Sequence, residues 1–310
     1  MKKRRIKKSV IRNFIIIVIL IFGISTYIKT ERYHKTNEYK LKKIGYNKEE
    51  IALIEKEPQE NITYVLENEY NELLDDIINE KYYLNKNLQQ YVDYKEKNIN
   101  MNLSDVIAIV NTGADKEEYK DVKKTDTEKK ELMLVNKYNY LEESYVPENV
   151  EAISPRYAYD ENSAPKEVQE KYQEMFYAAE NAGMDLVISS SYRSYNDQKE
   201  TYEYYERIKG DEVKQYALLP GYSEHQTGLA FDILTTTSQT DDFEKTEEYK
   251  WLLDNSYKYG FILRYPKEKE NITKIDYESW HFRYVGVEAA TIIHNEKISF
   301  EEYYAYYVEK

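Results

Sequence analysis

Ser223-Glu224-His225-Gln226-Thr227-Gly228-Leu229-Ala230-Phe231-Asp232-Ile233 is the stretch whose reading decides the fold. From Leu229 the side chains alternate: Leu229, Phe231 and Ile233 share one face of a strand, and Ala230 and Asp232 the other. A carboxylate beside an otherwise apolar strand needs a partner, because burying it alone costs too much. His225 stands just upstream, across Gly228, a residue that supplies a tight bend. A second stretch, Glu278-Ser279-Trp280-His281-Phe282-Arg283-Tyr284, alternates in the same way. There Trp280, Phe282 and Tyr284 share one face, and His281 and Arg283 the other. A His on the polar face of this strand can meet Asp232 and His225. Two imidazoles and one carboxylate make a three-ligand set suited to zinc, with a fourth position open for water. Glu278 precedes His281 by an odd spacing, so it reaches the same side only through a turn or bulge at Glu278–Ser279. With that bend Glu278 can take a proton from the attacking water and pass it to the leaving amine. Each spacing alone arises easily by chance, and a lone strand His is commonly a hydrogen-bonded structural residue. The combination carries the weight, because the whole chain has only 4 His.

The flanking sequence supports an α+β domain. Pro165 to Gly183 reads as a helix with Val168, Tyr172, Met175, Phe176 and Ala179 on its apolar face. Leu186-Val187-Ile188 reads as a buried strand that leads into Ser189-Ser190-Ser191-Tyr192-Arg193-Ser194. A second helix follows, carrying Gln198, Tyr202 and Tyr205. A third, around Glu247–Tyr259, ends at Gly260 before Phe261-Ile262-Leu263-Arg264. A closing helix starts at about Val287. Residues 132–138 suggest an opening strand or loop. The expectation is a small antiparallel sheet flanked by helices across 131–310.

Three blocks occur in order: Ser191-Tyr192-Arg193-Ser194 with Gln198, then Ser223 to Asp232, then Glu278 to Tyr284. This set resembles the VanY-like D-alanyl-D-alanine carboxypeptidases, zinc peptidases of the bacterial cell wall, over residues 132–295. The resemblance implies that His225, Asp232 and His281 bind Zn2+ and that Glu278 is the catalytic base. It implies that Arg193 binds substrate or stabilises the oxyanion, which suits a guanidinium's fixed charge and fork of donors. It also implies that Ser223 and Gln198 line the substrate site. Ser191 is a small departure, where the family often has Gly. The implied activity is removal of the terminal D-alanine from peptidoglycan stem peptides. The family also holds L,D-carboxypeptidases acting on tetrapeptide stems, and the motifs do not separate the two. A third reading is a non-catalytic wall-binding or sensor protein. Glu278 argues against it, because a structural zinc site needs no base and is closed by a fourth ligand.

Composition sets the wider limits. The 310 residues include no Cys, which excludes disulfide scaffolds, Cys-ligated metal sites and thiol catalysis. A metal must then be held by His, Asp or Glu. Seven basic residues (Lys2, Lys3, Arg4, Arg5, Lys7, Lys8 and Arg12) open the chain with no acid among them. The remainder holds 37 basic against 57 acidic residues, a balance of −20 that disfavours binding to nucleic acid. The basic cluster precedes the uncharged run Phe14 to Ile24. That order suggests a membrane anchor with its basic end in the cytoplasm and the body outside, or a cleavable signal that would leave the body secreted. The anchor is favoured, because Gly23-Ile24-Ser25 matches the A-x-A cleavage pattern poorly. The expected organisation is a basic tail and membrane segment at 1–30, a helical region and linker at 31–130, and the peptidase at 131–310. In the helical region Asn47 and Glu50 have capping-box spacing, and Leu66 to Ile78 recur at helical spacing. Residues 104–111 fit helix or strand, and 114–131 read as an exposed loop or linker.

Overall fold

The computed structural model describes residues 7–309; Lys2, Lys3, Arg4 and Arg5 of the basic cluster lie outside the described residues. The chain divides into two units, 1–107 and 108–310. The division falls within α7 (Leu103–Thr112), so the ambiguous run at 104–111 is helical.

The first unit is all helical. It begins with α1 (Lys8–His34), a 27-residue helix with no buried residue. Its length and composition are sufficient to cross a membrane. Five short helices follow: α2 (Asn37–Ile44), α3 (Lys48–Ile54), α4 (Gln59–Glu67), α5 (Leu74–Asn79) and α6 (Leu88–Lys97). Gly45 ends α2 at φ 132°. The capping box at the start of α3 is present, with Asn47 accepting from the Glu50 amide and Glu50 from the Asn47 amide. Leu41, Ile51, Ile54, Ile62, Val65, Leu74, Ile77 and Leu88 are buried. The helical spacing from Leu66 to Ile78 is interrupted, because α4 stops at Glu67 and α5 starts at Leu74. Asn71 competes locally: its side chain accepts the Leu73 amide at 2.9 Å, an Asx-type turn that diverts the backbone.

The second unit is α+β. Two small pairings precede the main sheet: parallel β1 (Lys123–Lys124) with β2 (Asn139–Tyr140), and antiparallel β3 (Val150–Ala152) with β4 (Ser163–Pro165). The sheet comprises β5 (Val187–Ser190), β6 (Ala230–Leu234), β7 (Phe261–Leu263) and β8 (His281–Tyr284), in the order β5-β6-β8-β7. Every pair in it is antiparallel. The helices here are α8 (Lys166–Asn181), α9 (Tyr195–Lys209), α10 (Thr240–Phe243), α11 (Glu247–Asn255), α12 (Glu270–Thr273), α13 (Val287–Glu296) and α14 (Phe300–Tyr303). Tyr172 and Met175 of α8 are fully buried with Phe231, Phe261 and Phe282 in one hydrophobic core. Burial of each such side chain contributes about 1.5–3 kcal/mol. Ser194 caps α9 in a reciprocal box with Asp197.

Two segments take the loop form that the sequence allowed. The 114–131 stretch is a mostly exposed loop within the second unit. Thr125 is buried and its hydroxyl donates to the Leu134 carbonyl at 2.8 Å. The 132–138 stretch is a loop, and Arg283 Nη2 donates to its Met133 carbonyl at 2.8 Å.

Candidate active site

Sheet register builds the site. On β6 and β8, Asp232 lies directly opposite His281, and on β5 Ser190 lies opposite Asp232. The His281 Nδ1 is 3.0 Å from Asp232 Oδ1. His225 arrives from the 3₁₀ turn Glu224–Thr227, which ends at Gly228 with φ 70°. A Cβ at Gly228 would meet Pro165 Cδ at 2.6 Å, so the turn needs glycine both for its backbone and for close approach. The turn brings His225 Nε2 to 3.4 Å from Asp232 Oδ2. The two imidazoles stand almost perpendicular, with interplanar angle 88° and centroids 5.0 Å apart.

Each imidazole presents one nitrogen to the shared carboxylate. The Nδ1 of His225 is 2.7 Å from the Ser191 carbonyl, an acceptor that requires hydrogen on Nδ1 and leaves the Nε2 lone pair facing Asp232. Ser191 is itself fixed: its hydroxyl donates to Asn162 Oδ1 at 2.7 Å and accepts the Ser163 amide at 3.0 Å. One donor atom from each of His225, Asp232 and His281 lies within 4.8 Å of the others, a cluster of a size that can hold a metal ion. Oriented imidazole nitrogens flanking a carboxylate fit a divalent transition metal of borderline softness. Burial alone would raise the Asp232 pKa, but the two imidazoles outweigh it and hold the carboxyl well below the usual range. Burial pulls His225 down. For His281, the hydrogen bond to Asp232 and the nearby carboxylates of Glu224 and Glu278 overcome burial and lift it to about 9.

Glu278 reaches this cluster through the bend the spacing requires. Its amide donates to the Tyr265 carbonyl at 3.1 Å, and β8 begins only at His281. Its Oε2 stands 3.6 Å from His281 Nδ1, and its side chain keeps 30% exposure. Protein enclosure around the carboxylate raises its pKa to about 7. A carboxylate so poised, open on one side and beside a metal-sized cluster, can exchange a proton near neutrality.

Arg193 and Gln198 meet in one contact. The Arg193 amide donates to the His225 carbonyl at 3.1 Å, which ties this residue to the turn bearing the candidate ligand. Its guanidinium donates to Gln198 Oε1 at 2.8 Å and to Ser190 Oγ at 3.1 Å. Gln198 is buried and its amide nitrogen donates to the Leu218 carbonyl at 2.7 Å. Both ends of the Gln198 amide are therefore engaged within the protein, its oxygen by Arg193 and its nitrogen by the Leu218 carbonyl. Ser223 is buried and its side chain does not cap the turn that follows it. His34 and His294 are exposed and neither is a member of the cluster; His294 stacks on Tyr257 at 3.9 Å.

Sequence reasoning missed Glu224. It lies between two motif residues, and its carboxylate stands between two guanidinium groups and His281. It receives Arg264 Nε at 2.8 Å and Arg283 Nη1 at 2.7 Å, with all three side chains at 0% exposure. Burial opposes its ionisation, but the two guanidinium groups hold its carboxyl far below the usual range. The available signal was a single Arg at each of two apolar strands, Arg264 after β7 and Arg283 within β8.

Comparison with known proteins agrees with this geometry. The model of the family described as VanY, D-alanyl-D-alanine carboxypeptidase, matches residues 161–287. The YodJ protein of Bacillus subtilis, which carries a carboxypeptidase name, is 39% identical over 203 residues, covering 60% of this chain and 73% of that one. A D-alanyl-D-alanine carboxypeptidase of Enterococcus faecalis is 37% identical over 192 residues, covering 57% and 67%. Among solved structures, the LdcB LD-carboxypeptidase, described with the molecular basis of its peptidoglycan recognition, aligns with TM-score 0.57 and 37% identity. That alignment covers 61% of this chain and 92% of the other. With its sheet, its candidate metal cluster and these relatives in agreement, the chain belongs to the VanY D-alanyl-D-alanine carboxypeptidase family.

Proposed function

We propose that the chain is a membrane-anchored zinc carboxypeptidase that removes the terminal D-alanine from peptidoglycan stem peptides. The observation that carries this reading is the convergence of His225, Asp232 and His281 with Glu278 at 3.6 Å from His281 Nδ1. When bound by these three residues, zinc supplies Lewis acidity toward the scissile carbonyl and toward water. Glu278 accepts the proton of the attacking water and returns it to the leaving amine. Its pKa near 7 suits both halves of that exchange. Arg193 offers its remaining N–H donors to the developing oxyanion or to the substrate carboxylate, and Gln198 and Ser190 keep its planar fork in place. Ser223 lines the substrate site.

A second reading, L,D-carboxypeptidase action on tetrapeptide stems, draws support from the likeness to LdcB. Mass spectrometry of stem peptides offered together separates the two. Loss of one alanine from the pentapeptide alone is the expected result. Loss from the tetrapeptide would move the assignment to the L,D-class, and no loss from either would leave a binding protein.

The helix α1 supports a single-pass anchor with the peptidase outside the cell, facing its wall substrate. Membrane fractions should retain the intact chain through an alkaline wash. Recovery of a shortened chain in the medium would identify a cleaved signal instead.

A further inference from the structure

Two buried polar atoms at the centre of the second unit lack hydrogen-bond partners, and they face each other: Glu224 Oε2 and His281 Nε2, 3.8 Å apart. Buried polar groups are nearly always paired, so two adjacent orphans call for a common explanation. A carboxylate oxygen only accepts. The pair is therefore complementary only when His281 carries its hydrogen on Nε2. That tautomer leaves the Nδ1 lone pair facing Asp232 Oδ1 at 3.0 Å, where the metal cluster lies.

The carboxylate is held from behind. Its other oxygen, Oε1, takes both Arg264 Nε and Arg283 Nη1. Arg264 grips Glu301 on α14 with a two-pronged contact, Nη1 to Oε2 at 2.8 Å and Nη2 to Oε1 at 2.6 Å. Asn136 Nδ2 adds a bond to Glu301 at 3.2 Å. Arg283 is anchored by the carbonyls of Glu131 and Met133 at 3.1 and 2.8 Å. A carboxylate so restrained sets the rotation of the ring it faces.

We propose that Glu224 is a positioning residue for the metal centre: it fixes His281 as the Nε2–H tautomer, so that this imidazole binds metal through Nδ1, and Arg264, Arg283 and Glu301 hold it in register. This rests on the metal-centre reading above. It makes the two imidazoles opposite in kind. His225 is oriented by a neutral backbone carbonyl and His281 by a buried anion, which raises the basicity of the second ligand. It also makes α14, close to the end of the sequence, a support for the centre.

The test uses the full-length chain in detergent, with zinc affinity measured by chelator competition and metal contacts by 15N-histidine NMR with 113Cd. In the wild type, cadmium should couple to Nδ1 of His281 and Nε2 of His225. Glu224→Gln should weaken zinc binding by roughly 10- to 100-fold. Glu302→Gln, on the same helix but paired with Lys269 at 2.9 Å, should leave it unchanged. Coupling of cadmium to Nε2 of His281 would overturn the proposal, and so would unchanged zinc affinity in folded Glu224→Gln. If that variant fails to fold, the wild-type coupling alone decides. A wild-type chain that binds neither ion would overturn the metal-centre reading itself, and this assignment with it.

Discussion

Two polar clusters share the centre of the second unit, and they are built on opposite principles. The first, His225, Asp232, His281 and Glu278, brings two carboxylates and two imidazoles together with no guanidinium among them. Its side chains keep 5–30% exposure, and its contacts run from 3.0 to 3.6 Å. The second, Glu224, Arg264, Arg283 and Glu301, is almost wholly buried, alternates charge and closes at 2.6–2.8 Å. One cluster is short of positive charge and partly exposed; the other is sealed and nearly self-satisfied, with Glu224 Oε2 its one unpaired carboxylate oxygen. The difference marks the first as a place for a cation and substrate, and the second as its scaffold. A single side chain, Glu224, faces from the sealed cluster toward the open one.

The largest effect should come from emptying the open cluster. Asp232→Ala removes the carboxylate between the imidazoles, and metal analysis should find zinc lost. Turnover should fall by at least about 10³-fold with the metal's contribution gone. Breaking the sealed cluster should instead register as stability. Arg264→Met leaves Glu224 and Glu301 short of a partner in the interior, a loss of about 3–5 kcal/mol in denaturant unfolding. Gly228→Ala should cost less, about 1–3 kcal/mol from the left-handed backbone alone, with added crowding against Pro165.

The open cluster was legible in the sequence because its motif residues sit in short blocks whose strand periodicity aims them. Alternation put Asp232 and His281 on polar faces, and the odd spacing of Glu278 demanded the bend that the backbone makes before β8. The sealed cluster was not legible. Its partners lie 40, 59 and 37 residues apart along the chain, and no local pattern marks which Arg meets which Glu. Gln198 shows the same limit at smaller scale: its place in the motif is plain, but its use of both amide ends in holding Arg193 depends on the Leu218 carbonyl. The 104–111 run fits either periodicity on apolar content alone, and only its capping settles it: the Asn102 side chain accepts the Asp105 amide at 2.8 Å and starts α7.

A smaller effect sharpens the contrast. Glu278 has its folded pKa raised from 4.5 to about 7 by burial. An acid so shifted favours the folded state below its unfolded pKa and loses that contribution as pH rises through about 7. Metal-free Glu278→Gln should therefore be more stable than metal-free wild type at pH 8, by about 1–2 kcal/mol after allowance for its partial exposure. The gap should close near pH 4.5, with thermal unfolding across that range as the readout. The smallest effect belongs to Gln198→Ala, which frees the Arg193 fork without removing its charge. We expect a several-fold rise in KM with modest change in kcat.

The most direct test of the account is zinc content and stem-peptide hydrolysis measured on the same preparations of wild type and Glu278→Gln. The account predicts one zinc per chain in both, with hydrolysis in the variant reduced by roughly 10²–10⁴-fold. Hydrolysis that survives in zinc-loaded Glu278→Gln, or a wild-type chain that hydrolyses stem peptides without zinc, would contradict it.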